Sequence, residues 1–140
     1  MTYTTAQLLE VSGATPSMLK QWIARRHIGL SSGLYHGHGI PRAHTREDVL
    51  QAALLVALGR VGIGPKRASM VWSMAVVPNL HQPDALILFG PRPDNSDLDV
   101  RVVQPGEDDG LDRDDAPDLF AALQLGLFKR RVAAKLAAFA

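Results

Sequence analysis

The 140-residue sequence contains no cysteine, which excludes a disulfide framework, a thiolate metal site and a cysteine nucleophile together. Long apolar runs are missing as well. The strongest, around Leu50 to Leu58 and Ala85 to Phe89, fall short of the roughly 20 residues that span a bilayer. The opening Met-Thr-Tyr-Thr-Thr has neither a basic start nor an apolar stretch, so no secretory signal is read there. These absences set the expectation of a soluble cytoplasmic protein with no membrane partner. No nucleophile motif is present, and Gly62-Ile63-Gly64 lacks the strand and the further glycine of a nucleotide loop. No enzyme activity and no cofactor are expected. With 46% hydrophobic and 21% charged residues, the chain falls among ordinary globular proteins of one or two small units.

Charge is nearly balanced in total, at +1, but uneven along the chain. Residues 1–75 carry eight Lys/Arg against three Asp/Glu, residues 76–118 carry three against eleven, and the last 22 residues carry four bases and no acid. A basic front beside an acidic middle points to a polyanion-binding module joined to a segment that must not bind polyanions.

The front segment is punctuated for short helices. Thr4 and Gln7 have capping-box spacing before the run Ala6 to Val11. After Ser12-Gly13-Ala14, Thr15 as N-cap and Pro16 at the first helical position open a second helix with Met18, Leu19, Trp22 and Ile23 on its apolar side. Gly29 is expected to stop it. Residues Leu30 to His44, rich in glycine and histidine and without a 3.6-residue period, are expected to form a loop or small hairpin. Thr45, with Glu47 and Asp48 in the first turn, opens a third helix to about Arg60, apolar on more than one side and so buried against two surfaces. Gly62 ends it. Gly64-Pro65 starts a fourth helix with Ala68, Val71, Trp72 and Ala75, expected to end at Pro78.

Two short helices joined by a glycine-containing turn make a helix-turn-helix pattern, and a hairpin after the second is what a winged version requires. The order and spacing of these pieces over residues 3–76 resemble the DNA-binding domain of the MerR family. The carriers are Tyr3-Thr4-Thr5-Ala6-Gln7-Leu8, Ser12-Gly13-Ala14-Thr15-Pro16-Ser17-Met18-Leu19-Lys20, Ile28-Gly29-Leu30, Arg42-Ala43-His44-Thr45-Arg46-Glu47-Asp48-Val49 and Leu58-Gly59-Arg60-Val61-Gly62-Ile63. The chain departs from the family at Gln21-Trp22-Ile23 and at His44, where aromatic residues are usual, and it lacks the long dimerising helix directly after the fourth helix. The resemblance implies a winged helix-turn-helix that binds double-stranded DNA, with Arg42 as a wing phosphate clamp and His44 replacing the aromatic beside it.

A recognition helix must offer polar side chains to the major groove from one face while the other packs. With Met18, Leu19, Trp22 and Ile23 inward, Ser17, Lys20, Gln21 and Arg25 project outward. Gln21 suits an adenine edge, and Lys20 a guanine or a phosphate. Tyr3 and Thr5, near a helix N-terminus, and Lys66 are further candidates for phosphate contact. Arg25 and Arg26 are equally read as complementing a helix C-terminus. His36, His38 and His44 do not complete a metal site, since no cysteine or nearby carboxylate supplies the remaining ligands. They read as a polar wing.

In the second half, Ala85 to Phe89 and Leu98 to Val103 read as a hairpin. The acidic run from Glu107 reads as a hydrated linker leading to a final helix over about Pro117 to Phe139. Its Phe120, Leu123, Leu127, Phe128, Val132 and Leu136 are expected to form a homodimer surface; the alternative is that the helix packs back on its own chain. The fold expected is mainly α, a winged helix-turn-helix domain over 1–76 followed by a β-hairpin and C-terminal helix over 77–140. The expected function is a dimeric, sequence-specific DNA-binding transcriptional regulator, with no small-molecule effector supported. Two alternatives stay open: a phage-type packaging or recombination accessory protein, and a protein-interaction adaptor using the acidic segment and C-terminal helix.

Overall fold

Threonine caps start the first three helices of the computed structural model, which describes residues 1–29, 43–82, 84–91, 97–110, 112 and 121–139. Helix α1 (Thr5–Ser12) begins where the Thr4 hydroxyl accepts the Gln7 N–H at 3.1 Å and the Gln7 side chain accepts the Thr4 N–H at 2.9 Å. Two donors that a helix end would otherwise orphan are thereby satisfied. It closes on Gly13, whose φ of 79° suits a residue without a Cβ. The following turn is tied by the buried Ser12 hydroxyl, which accepts the Ala14 N–H at 3.1 Å. Thr15 then caps helix α2 (Pro16–Ala24), accepting the Met18 N–H at 3.1 Å.

Helix α2 stops earlier than the expected glycine at position 29. The His27 N–H reaches the Trp22 carbonyl at 2.8 Å and the Arg26 N–H reaches Ile23 at 3.1 Å, the paired bonds that wind a helix off through a left-handed residue. That residue is Arg26, at φ 58°. Helix α3 (Arg46–Arg60) has the same reciprocal box as α1, with Asp48 accepting the Thr45 N–H at 2.9 Å and Thr45 accepting the Asp48 N–H at 3.2 Å. It is buried from Asp48 through Val56 and again at Leu58, the wide girth its sequence calls for, and α1 packs along it. Gly62, at φ 87°, follows its end.

Helix α4 (Pro65–Val71) is continued by two further helical turns, and the helical run ends at Asn79, in the Pro78 region as expected. It widens into a π-helical turn over Trp72–Val76 and tightens into a 3-10 turn over Val77–Asn79. Pro78 sits at the start of that last turn, where a missing N–H costs little.

The expected hairpin forms from β1 (Leu86–Pro91) and β2 (Leu98–Val103), antiparallel, with Leu86 opposite Val103 and Pro91 opposite Leu98. A third strand, β3 (Ala121–Gln124), pairs with the other edge of β1, placing Leu86 opposite Gln124 and Phe89 opposite Ala121. This corrects the expected helix start: α5 runs only over Leu125–Ala137. Ala121-Ala122-Leu123-Gln124 fits a helical period, but the open side of β1 offers ladder hydrogen bonds that outweigh local preference. The Leu125 N–H donates to the Ala85 carbonyl at 3.0 Å where strand becomes helix. The described residues thus combine five α-helices with a three-stranded antiparallel sheet, rather than a hairpin alone.

The chain divides into two compact units, one of Met1–Ser69 with Arg130–Ala140, the other of Met70–Lys129, whereas the sequence suggested a break at residue 76. The core of the first holds Leu8, Leu19, Trp22, Val49, Leu54, Val132 and Leu136. The second is built around Val71, Val76, Ile87, Phe89 and Leu125. In it the Asn79 amide donates to Ala75 at 2.7 Å and accepts from Gln104 at 2.8 Å, while Lys129 donates to the Leu80 and Gln82 carbonyls. Among the described residues, no helix is long and apolar enough to cross a membrane.

Candidate nucleic-acid interface

Helix α2 separates its residues by face. Leu19 and Trp22 are buried, Met18 and Ile23 half-buried, while Ser17, Lys20, Gln21 and Ala24 are exposed. Those four follow the i, i+3, i+4, i+7 spacing of one helical stripe. Arg25 and Arg26 extend the exposed surface past the helix end. Among the described residues, Lys20, Arg25, Arg26, Arg46, Arg60 and Lys66 make no side-chain hydrogen bond or ion pair.

The two units differ sharply in charge. Met1–Ser69 with Arg130–Ala140 contains eleven Lys/Arg and three Asp/Glu, a net of +8; Met70–Lys129 contains four and eleven, a net of −7. The bases of the C-terminal helix, apart from Lys129, therefore belong with the basic front segment.

His44 is corrected from the candidate surface set. It is fully buried, its Nε2 lies 3.0 Å from the Thr5 hydroxyl and its Nδ1 lies 3.9 Å from the Asp48 carboxylate. Its backbone exchanges both hydrogen bonds with Tyr3, each at 2.8 Å. Tyr3, Thr5, His44 and Asp48 thus form a clamp tying the N-terminus to the start of α3. A polar group carried into a core needs a hydrogen-bond partner, and for Nε2 the Thr5 hydroxyl supplies it. Arg42 and the expected wing, with His36 and His38, fall on residues 30–42, outside the described residues. Among the described residues, no group of three or more His, Asp and Glu side chains is placed to hold a metal.

The C-terminal set is also redistributed. Val132 and Leu136 are 5% and 3% exposed, buried within the first unit, so they are withdrawn from the expected homodimer surface. This agrees with the alternative in which the helix packs on its own chain. Leu123 stands on β3 opposite Ile87, not on a helix. Leu127 and Phe128 are half-buried, and Phe120 lies outside the described residues. A different set of large apolar side chains is exposed: Met70, Met74 and Val77.

Arg60 was not singled out by sequence. A Cβ built on Gly13 would stand 3.4 Å from Nη2 of Arg60 and 3.7 Å from Cγ1 of Val56, so the guanidinium lies over the bare Cα of the α1–α2 turn. Residues 47 positions apart meet there, and no local spacing signals such a contact. No protein-family model matches the chain, and no curated protein matches it.

Proposed function

We propose that the basic unit is a winged helix-turn-helix that binds double-stranded DNA, in the manner of the MerR family it resembles, and that the protein is a small transcriptional regulator. The observation that carries this reading is the exposed polar stripe of α2. Ser17, Lys20 and Gln21 face solvent over a core formed by Leu19 and Trp22, in a unit with eleven bases and three acids.

In this reading α2 enters the major groove. Gln21 offers a donor and an acceptor to an adenine edge, and Lys20 a point charge to guanine or phosphate. Arg25 and Arg26 reach the backbone beyond the helix end. The acidic unit, with a net charge of −7, is not expected to contact the duplex. A twofold dimer, which the sequence led us to expect, would read half-sites about 34 Å apart; with Val132 and Leu136 buried in their own unit, it would have to pair through another surface.

Selection of bound fragments from random duplexes tests both parts. The expected result is a recovered site with twofold symmetry. Recovery of no enriched site contradicts the regulator, and an asymmetric single half-site contradicts the dimer. Footprinting of genomic fragments distinguishes a promoter site from the packaging or attachment site of a phage-type accessory protein.

A further inference from the structure

Arg60 occupies the last turn of α3, where a base complements the helix dipole. That accounts for its charge but not for its placement. The side chain makes no hydrogen bond to the carbonyls at the end of its own helix and no ion pair among the described residues. Its guanidinium instead extends to Gly13, the left-handed residue between α1 and α2.

Gly13 is glycine because its φ of 79° disfavours a side chain. A Cβ there would stand in ordinary van der Waals contact with Nη2 of Arg60, at 3.4 Å, so the guanidinium lies against the turn. Two residues further on, Thr15 and Pro16 begin α2.

We propose that Arg60 is a backbone-phosphate contact of this protein, laid across the α1–α2 turn so that a planar guanidinium borders the start of the helix that enters the groove. The proposal rests on the duplex-binding reading above. A guanidinium is suited to this place because its fixed fork of donors pairs two phosphate oxygens at once. Such a contact fixes register without reading sequence.

The test compares full-length wild type with Arg60→Gln and Arg60→Lys on two probes, a selected duplex and a scrambled duplex of equal length, over a salt series. Arg60→Gln is expected to weaken binding to both probes by the same factor, about three- to tenfold, and to lower the slope of log affinity against log salt by about 0.9. Arg60→Lys is expected to keep that slope. Arg60 is exposed, so both variants are expected to melt within about 2 °C of wild type, which keeps any loss of binding from being a loss of folding. If Arg60→Gln leaves affinity and slope unchanged while Lys20→Glu abolishes retention, Arg60 is not a contact and the duplex reading stands. If wild type itself shows no salt-dependent retention, both fail.

Discussion

The helix starts of the basic unit and the sheet of the acidic unit are specified by different means. In the first, three helices each start on a threonine that bonds an N–H three residues along, so the elements are specified within single turns of chain. In the second, order comes from distant partners: Leu86 with Gln124, Asn79 with Gln104, Lys129 with the carbonyl of Leu80. Locally specified helices give a rigid platform on which a polar face can be presented in fixed geometry. A sheet closed by a strand contributed from far along the chain forms only when the whole unit forms. The charges divide the same way, and the division is cleaner in space than along the sequence, because Arg130, Arg131 and Lys135 join the front segment.

Core truncation should separate the units most strongly. Leu54→Ala and Ile87→Ala each remove a fully buried side chain and are expected to cost about 2–5 kcal/mol by chemical denaturation. Only Leu54→Ala should also impair duplex binding at temperatures where the chain remains folded; equal impairment by Ile87→Ala would show that the acidic unit takes part in binding.

Charge reversal sharpens the same contrast. Lys20→Glu is expected to abolish duplex retention with an unchanged circular dichroism spectrum. Glu107→Lys, an exposed position in the acidic unit, should alter affinity by no more than about twofold at physiological salt, where screening acts within about 8 Å. A larger gain from Glu107→Lys would place the acidic segment at the duplex.

The smallest effect on stability is expected at Arg26. A non-glycine residue at φ 58° carries roughly 1–2 kcal/mol of backbone strain, so Arg26→Gly should raise stability by up to about 1 kcal/mol while weakening duplex binding severalfold. Stabilisation without loss of affinity would mean that this arginine is a helix-end charge and nothing more.

Much of the basic unit was legible because its signals are local. Thr4 with Gln7, Thr15 with Pro16 and Thr45 with Asp48 each announce a helix within four residues, and the broad apolar surface of α3 announces its burial. Ser17, Lys20 and Gln21 followed from the helical period alone. The end of α2 was not legible, since two backbone bonds hold Arg26 left-handed where glycine is the usual signal. His44 was misread because its place in the core depends on Tyr3 and Thr5, whose approach from the N-terminus local spacing does not disclose. Strand β3 was hidden for a related reason: Ala121 to Gln124 continue the period of α5, and only the free edge of β1 makes them a strand. Val132 and Leu136 kept to the helical period as expected, but periodicity does not say whose core an apolar face enters.

The most direct test of the central claim, that the exposed stripe of α2 belongs to a phosphate-seeking basic unit, is the affinity of the full chain for a duplex as salt is raised from 50 to 200 mM. The account predicts retention at low salt and a linear fall of log affinity with log salt, with a slope of about −0.9 for each phosphate contacted. Retention that does not change across the series, or none at 50 mM, would contradict it.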